Sequence, residues 1–430
     1  MPSRLTGSWI THTLYHLRLD QLKMKNATLL TQNLTANTFY RMSFFALFML
    51  SILSLAGCAL LTHKSPTQTA IKTGLKTVHT LDIYSEKNTI HTLFSGLEQN
   101  TQQLSLQYLR SPDAGKTWGP AITVNQGLAA VKKSKRGNDF QIAAFDNKVM
   151  AVWQTQGGEP WTGKIAVALS TDFGQTWQQI ASPVGDEYAH IDQGYFDITA
   201  DNSGQFHLAW LDDREEAGNT QGLRYARYSD QNNGAWDQLS TLEKTACTCC
   251  WPAISSDKAG NIHLLYRNDS PRDMLSITST DGGQSWQQAK TAGAFNWEFI
   301  GCPHQGGGLT VKQSDNKIIL HSAIWNGENS KRGIYYSQSE LNKDKVAVLI
   351  AIGDNSSASA DISALDNNHL RIIYTSGDFE SKSVISRASD DGGLTWSAEQ
   401  RLSADGAEPS HPRIIATESA FHFFWTEWQE

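Results

Sequence analysis

The chain is 430 residues long, carries 14 Trp, and is 18 % charged with a formal net charge of -7. That length suits two or three average domains or one large β unit. The charges form no basic block, which excludes nucleic acid as a partner, because a phosphate backbone is held by a clustered positive footprint.

Residues 1–41 read as neither signal nor domain; Met24 and Met42 are alternative starts, so the segment is an extended leader or a mis-assigned start. Residues 42–57 contain the apolar run Phe44 to Gly57, preceded by Arg41. A spanning helix needs about 20 apolar residues, so this shorter run fits a signal h-region. It ends in Leu55-Ala56-Gly57-Cys58, where small residues admit a peptidase and the thiol can carry diacylglycerol. The pattern resembles the bacterial lipoprotein lipobox. The resemblance implies a lipid anchor at Cys58 and a place in the bacterial cell envelope, at the outer membrane on its periplasmic or surface side. Residues 58–78 follow as a polar tether around Lys64, Ser65 and Pro66, with 71–78 available as a closing strand.

Residues 79–430 consist of short alternating runs, such as His207-Leu208-Ala209-Trp210, between Gly, Asn and Asp turns. Such runs are strands, and long amphipathic helices are missing, so the class is all-β. Four segments share the pattern Ser-x-Asp-x-Gly-x-Thr/Ser-Trp: Ser111 to Trp118, Ser170 to Trp177, Ser279 to Trp286 and Ser389 to Trp396. A worn copy runs from Ser229 to Trp236, and a weaker one begins at Tyr336-Ser337. In this pattern the Asp can accept turn N–H groups, Gly supplies a positive φ, and the hydroxyl adds a second bond. The Trp then buries a large ring against the neighbouring sheet. Seven polar hairpin turns interleave with these segments, at 86–88, 146–147, 201–204, 257–260, 314–316, 366–368 and 417–419. The expected architecture is a β-propeller of four-stranded blades, seven by hairpin count with six as the alternative.

The repeated segments resemble the Asp boxes, or BNR repeats, of the sialidase superfamily over about residues 79–428. The resemblance implies that each box sits between the third and fourth strands of a blade and marks the fold rather than the chemistry. Hairpin turns and boxes then share one face, and ligands are expected on the opposite one, around the axis. A sialidase needs arginines for bidentate bonds to a carboxylate, an acid, and a Tyr nucleophile supported by a Glu. On the permitted loops Arg214, Arg267, Arg272 and Arg413 are the candidate anion-binding residues, and Asp139, Glu187, Tyr195 and Tyr266 the candidate catalytic ones. The family's Arg-Ile-Pro signature is missing from the first blade, where Thr77 to Ile83 contains no arginine, which leaves exo-glycosidase activity open.

Cys247, Cys249 and Cys250 lead into one first strand, and Cys302, with His304 close behind, leads into the next. The pair of motifs resembles a sialidase-like subgroup of Asp-box proteins. Exported thiols oxidise, and an adjacent Cys249–Cys250 bond is strained, so the first reading is a disulfide from Cys302 to one of the other three. The alternative is a thiolate metal site that includes His304, suited to Cu(I) or zinc. The expectation is a monomeric, envelope-anchored propeller with no cofactor. It binds or hydrolyses acidic glycans, or takes another anionic small ligand, on its axial face, with Trp153, Trp161 and Trp325 as sugar-contacting residues. The alternatives are a non-catalytic scaffold of an envelope complex and a metal-handling lipoprotein.

Overall fold

A computed structural model describes residues 8–16, 67–101, 103–133, 140–214, 220–314, 317–378 and 381–428. The predicted signal, the lipobox and Cys58 lie outside these residues. Among the described residues the regular elements are strands and three short 3₁₀ turns. Six blades, at 75–123, 140–180, 193–247, 253–291, 307–351 and 358–401, each consist of four antiparallel strands consecutive in the chain. The six-blade alternative is what these consecutive strands build. All seven predicted hairpin turns fall between a first and a second strand, and the four strong boxes fall between a third and a fourth.

The last hairpin, Glu408–Ala416 with Ala420–Trp428, belongs to a further four-stranded sheet. Ser8–His16 pairs with Ala420–Trp428, and Thr67–Ala70 lies outside it. The closing strands thus come from these two segments and not from 71–78, because the chain from Leu75 onward is already the first strand of the first blade. The strand Glu408–Ala416 packs beside both Ala358–Ala364 and Leu75–Glu86, so the first strands follow one another around the axis.

Each Asp box closes on itself as its composition dictates. Asp113 accepts from the Thr117 amide at 2.8 Å and the Thr117 hydroxyl at 2.7 Å, while Ser111 Oγ accepts from the Gly115 amide at 2.8 Å. Asp172 and Asp391 repeat the amide bond, to Thr176 and Thr395, at 2.9 Å. The box Trp is half-buried rather than enclosed, as at Trp177, and it meets an aromatic ring of the preceding blade edge-on.

That ring belongs to a second repeat. In the first, third and fifth blades a buried His on the second strand bonds a buried Tyr on the third: His91 to Tyr108 at 2.8 Å, His207 to Tyr225 at 2.7 Å, and His321 to Tyr336 at 2.7 Å. Each Tyr then packs against the box Trp of the next blade, with centroid separations of 5.4 Å to Trp177, 4.9 Å to Trp286 and 5.0 Å to Trp396. Burial holds all three histidines below their ordinary pKa, to about 3 at His91 and about 4 at His321, so they are neutral hydrogen-bonding wedges.

Candidate functional site

The first strands surround an axial cavity of about 480 Å³. In three of them a residue with positive φ and a register shift occur two positions before a charged one. These are Tyr195 (φ 52°) before Asp197, Ser359 (φ 53°) before Asp361, and His411 (φ 54°) before Arg413. A bulge of this kind bends its strand and re-aims the following side chain, and all three charges line the cavity together with Asp82 and Gln141.

The carboxylates reach from one first strand to the next. Asp82 accepts from the Ile142 amide at 2.9 Å, Asp197 from Ile254 at 2.8 Å, and Asp361 from Ile414 at 3.0 Å. With its amide oriented to donate, Gln141 reaches Asp82 at 2.8 Å and Asp197 at 3.2 Å. Arg413 lies 2.8 Å from Asp82 and 3.6 Å from Asp361. Burial pushes Asp82 up to about 6 and Asp197 up to about 7, with Arg413 offsetting only part of the effect. Burial also opposes the charge of Arg413, but the surrounding carboxylates outweigh it and hold the guanidinium protonated above its ordinary range. The lining thus sets Asp82, Asp197 and Asp361 against Arg413, Lys312 and Lys382, and the arginine is already paired.

The other candidate arginines do not converge on this cavity. Arg214 places Nε 3.0 Å from both oxygens of Asp212 and stacks over Tyr188. Arg267 is buried and donates to the carbonyls of Arg272 and Trp325 at 2.7 Å and of Gln305 at 3.3 Å; burial lowers its pKa to about 9. Arg272 is also buried, donating to the Phe299 carbonyl at 2.8 Å, with Asp269 at 3.2 Å. Arg267 and Arg272 thus brace loops, because their donors are spent on protein acceptors.

The described catalytic candidates differ in exposure. Tyr195 and Tyr266 are buried, and burial drives the Tyr266 phenol far above its ordinary range, which is unfavourable for a nucleophile. Glu187 is exposed on the 3₁₀ turn Asp186–Tyr188, and Asp139 lies outside the described residues. Of the tryptophans expected to meet sugar, Trp153 is wholly enclosed, Trp161 is exposed, and Trp325 lines a groove.

The cysteines meet as expected but pair differently. Cys247 and Cys250 form the disulfide, their Cα atoms 5.6 Å apart across a turn, while Cys249 is free and buried and Cys302 free and exposed. The reading that bonded Cys302 is thereby replaced. Cys302 instead lies beside Thr248, with Oγ1 to Sγ at 3.7 Å, and its side chain also meets the Cys249 thiol. Burial pushes the Cys249 thiol up to about 12. The sulfurs of Cys247, Cys249 and Cys250 lie within 4.8 Å of one another, two of them joined in the disulfide. His304 is not among them and turns its Nδ1 to the Cys302 carbonyl at 2.9 Å.

A second concavity of about 1040 Å³ adjoins the axial one, and Gln305 lines both. Its wall is the loop between the fourth and fifth blades. Asp273 organises that loop by accepting from the amides of Phe295 at 3.0 Å, Asn296 at 2.9 Å and Trp297 at 3.3 Å. Trp297 and Phe299 stack at 5.4 Å with 20° between planes, and Trp325 meets Trp297 edge-on at 5.3 Å. Gly327 passes over these rings, where a Cβ would lie 2.3 Å from Trp297 and 2.7 Å from Trp325. Glu298, Glu328, Asn329, Arg332, Asn355 and Asp378 supply polar groups around the aromatic floor. The sequence reading selected Trp325 but missed Trp297 and Phe299, which follow a fourth strand. The dense run Phe295 to Ile300 in a loop position was the available signal.

Four-stranded blades, four of the six with a strong Asp box before the outer strand, define a β-propeller of the sialidase-like superfamily. The BNR repeat-like domain matches residues 87–322, and the chain belongs to that family. Among curated proteins nothing matches the sequence. Among solved structures, a Hadza microbial sialidase is 15 % identical with TM-score 0.47, covering 70 % of this chain and 64 % of its own. A protein of unknown function from Dyadobacter fermentans is 13 % identical with TM-score 0.47, covering 82 % and 95 %. A PL25 ulvan lyase is 11 % identical with TM-score 0.50, covering 78 % and 84 %. At such identities the likeness concerns the fold.

Proposed function

We propose that this chain is a glycan-binding propeller, tethered to the bacterial envelope through a lipid on Cys58, with its ligand seated in the groove of Trp297, Phe299 and Trp325. The observation that carries the reading is the stacked Trp297–Phe299 pair, with Phe299 43 % exposed, set among amide, carboxylate and guanidinium groups. Sugar rings present apolar C–H faces and hydroxyl rims, and such a surface matches both. Binding rather than hydrolysis is favoured because Tyr195 and Tyr266 are buried and burial holds the Tyr266 phenol far above its ordinary range. The groove offers one arginine, Arg332, against Glu298, Glu328 and Asp378, so a neutral glycan suits it better than an acidic one.

The test is calorimetric titration of neutral and acidic oligosaccharides into wild type and Phe299→Ala. Neutral glycans should bind at least as well as acidic ones. Loss of the exposed ring should weaken binding by about 0.5–1.5 kcal/mol, the scale of one aromatic contact. Unchanged affinity in folded Phe299→Ala refutes the groove. For the tether, a fatty-acid analogue should label the wild type but not Cys58→Ala.

A further inference from the structure

Two free thiols that the glycan groove does not use meet where the chain enters the fourth and fifth blades. Cys249 precedes the strand Ala253–Ser256, and Cys302 precedes Gly307–Ser314. Thr248 bonds to both sulfurs, with Oγ1 to Cys302 Sγ at 3.7 Å, and the Cys249 and Cys302 side chains also meet directly. The two backbones are close as well: a Cβ on Gly306 would lie 2.9 Å from the Trp251 carbonyl oxygen, and the His304 amide donates to Cys249. The thiols differ in access. Cys302 is exposed, whereas Cys249 is only 2 % exposed. Cys247 and Cys250 are joined to each other, so among the described residues Cys249 is the free thiol that Cys302 can reach.

We propose that Cys302 and Cys249 form a redox-active dithiol that reduces a small disulfide, with Cys302 as the attacking thiol and Cys249 as the resolving one. An external disulfide reaches the exposed thiol first. The Cys302 thiolate attacks one sulfur of that disulfide, which forms a mixed disulfide and releases the other half as a thiolate. Cys249, as its thiolate, then attacks the Cys302 sulfur, forming a Cys249–Cys302 bond and releasing the second half. Two electrons pass from the protein dithiol to the small disulfide, and the two protons lost from the cysteines end on the two released thiols. The reaction runs once per chain, because opening the new bond needs a separate reductant. Burial keeps the thiolate fraction of Cys249 small, which slows the second step, while contact with the mixed disulfide offsets that loss by proximity. The closing bond ties together the entry loops of two blades, one of which carries Gln305 between the two concavities.

The test uses the full chain carrying Cys58→Ser, isolated without air or reductant, treated with oxidised glutathione, and mapped by mass spectrometry of non-reduced peptides. Two glutathione thiols should be released per chain, and the product should carry a Cys249–Cys302 bond beside an intact Cys247–Cys250 bond. A Cys249–Cys302 bond already present on isolation is the same product and supports the pairing. Adding Cys249→Ser should leave glutathione attached to Cys302, with one thiol released instead of two, and adding Cys302→Ser should abolish release. Mapping the parent needs no further substitution, so a misfolded variant does not shield the idea. Failure of Cys302 to take up glutathione in the Cys249→Ser protein, an adduct on the parent that persists without a second release, closure of Cys302 onto Cys247 or Cys250, or undiminished release from the Cys302→Ser protein each overturns the proposal.

Discussion

Neighbouring glycines in one Asp box should differ sharply in their tolerance of a methyl group. Gly282 and Gly283 both have positive φ, 69° and 88°, so an alanine at either meets the left-handed penalty of about 1–2 kcal/mol. Their surroundings differ. A Cβ at Gly282 has its nearest neighbour, Arg227 Nη1, at 3.5 Å, whereas one at Gly283 would lie 1.8 Å from Tyr225 Oη. Tyr225 is fixed between His207 and Trp286 and cannot step aside freely. Gly283→Ala should therefore add an overpacking cost of about 1–3 kcal/mol, for a total of about 2–5. Denaturant midpoints at constant slope measure the difference. A Tyr225→Leu background, which removes the ring, should return Gly283→Ala to the cost of Gly282→Ala. The pair Gly392 and Gly393 repeats the design, since a Cβ at Gly393 would lie 2.0 Å from Tyr336 Oη. Equal costs at Gly282 and Gly283, or an excess that survives in the Tyr225→Leu background, would refute the reasoning.

Trp177→Ala should cost about 2–3 kcal/mol, below the 3–5 of an enclosed ring, because Trp177 is half-buried; loss of ligand binding from an undiminished fold counts against a purely structural box. Asp82 and Asp197 have folded-state pKa values raised to about 6 and about 7, above an unfolded value of 3.8. Their contribution to stability is thus fully present below about pH 4 and lost as pH rises through about 6 to 7, and Asp82→Asn with Asp197→Asn should flatten that slope in urea titrations across the window. Asp273→Ala leaves three loop amides without an acceptor and should cost about 1–3 kcal/mol while abolishing sugar-induced Trp fluorescence changes; retained changes dissociate Asp273 from the groove. Cleavage before Cys58 and pairing of Ser8–His16 with Ala420–Trp428 exclude each other in one mature chain. The mass of the envelope-bound form should begin at acylated Cys58, and a mass that includes Ser8 would sink the anchor.

The blade frame was legible because its determinants are local. Seven polar turns and a box that bonds within itself declare their positions regardless of what surrounds them. The closing strand Ser8–His16 was not legible, because its partner lies at the other end of the chain and only tertiary pairing selects it. The cysteine neighbourhood followed from loop order, but the bonded pair did not, since it depends on which Cα atoms the turn brings to 5.6 Å. Arg267 and Arg272 looked like ligand groups because sequence shows charge and loop position but not acceptors. Three backbone carbonyls of neighbouring loops hold Arg267. The axial carboxylates were missed for the opposite reason. Asp82, Asp197 and Asp361 sit inside strands, and bulges aim Asp197 and Asp361 inward.

The His–Tyr–Trp contact joins the first blade to the second, the third to the fourth, and the fifth to the sixth. Two of these junctions, the first and the second, also carry a carboxylate clasp, from Asp82 and Asp197. These seams thus add an aromatic lock to a ring whose apolar clusters already span the second and third blades and the fourth to sixth.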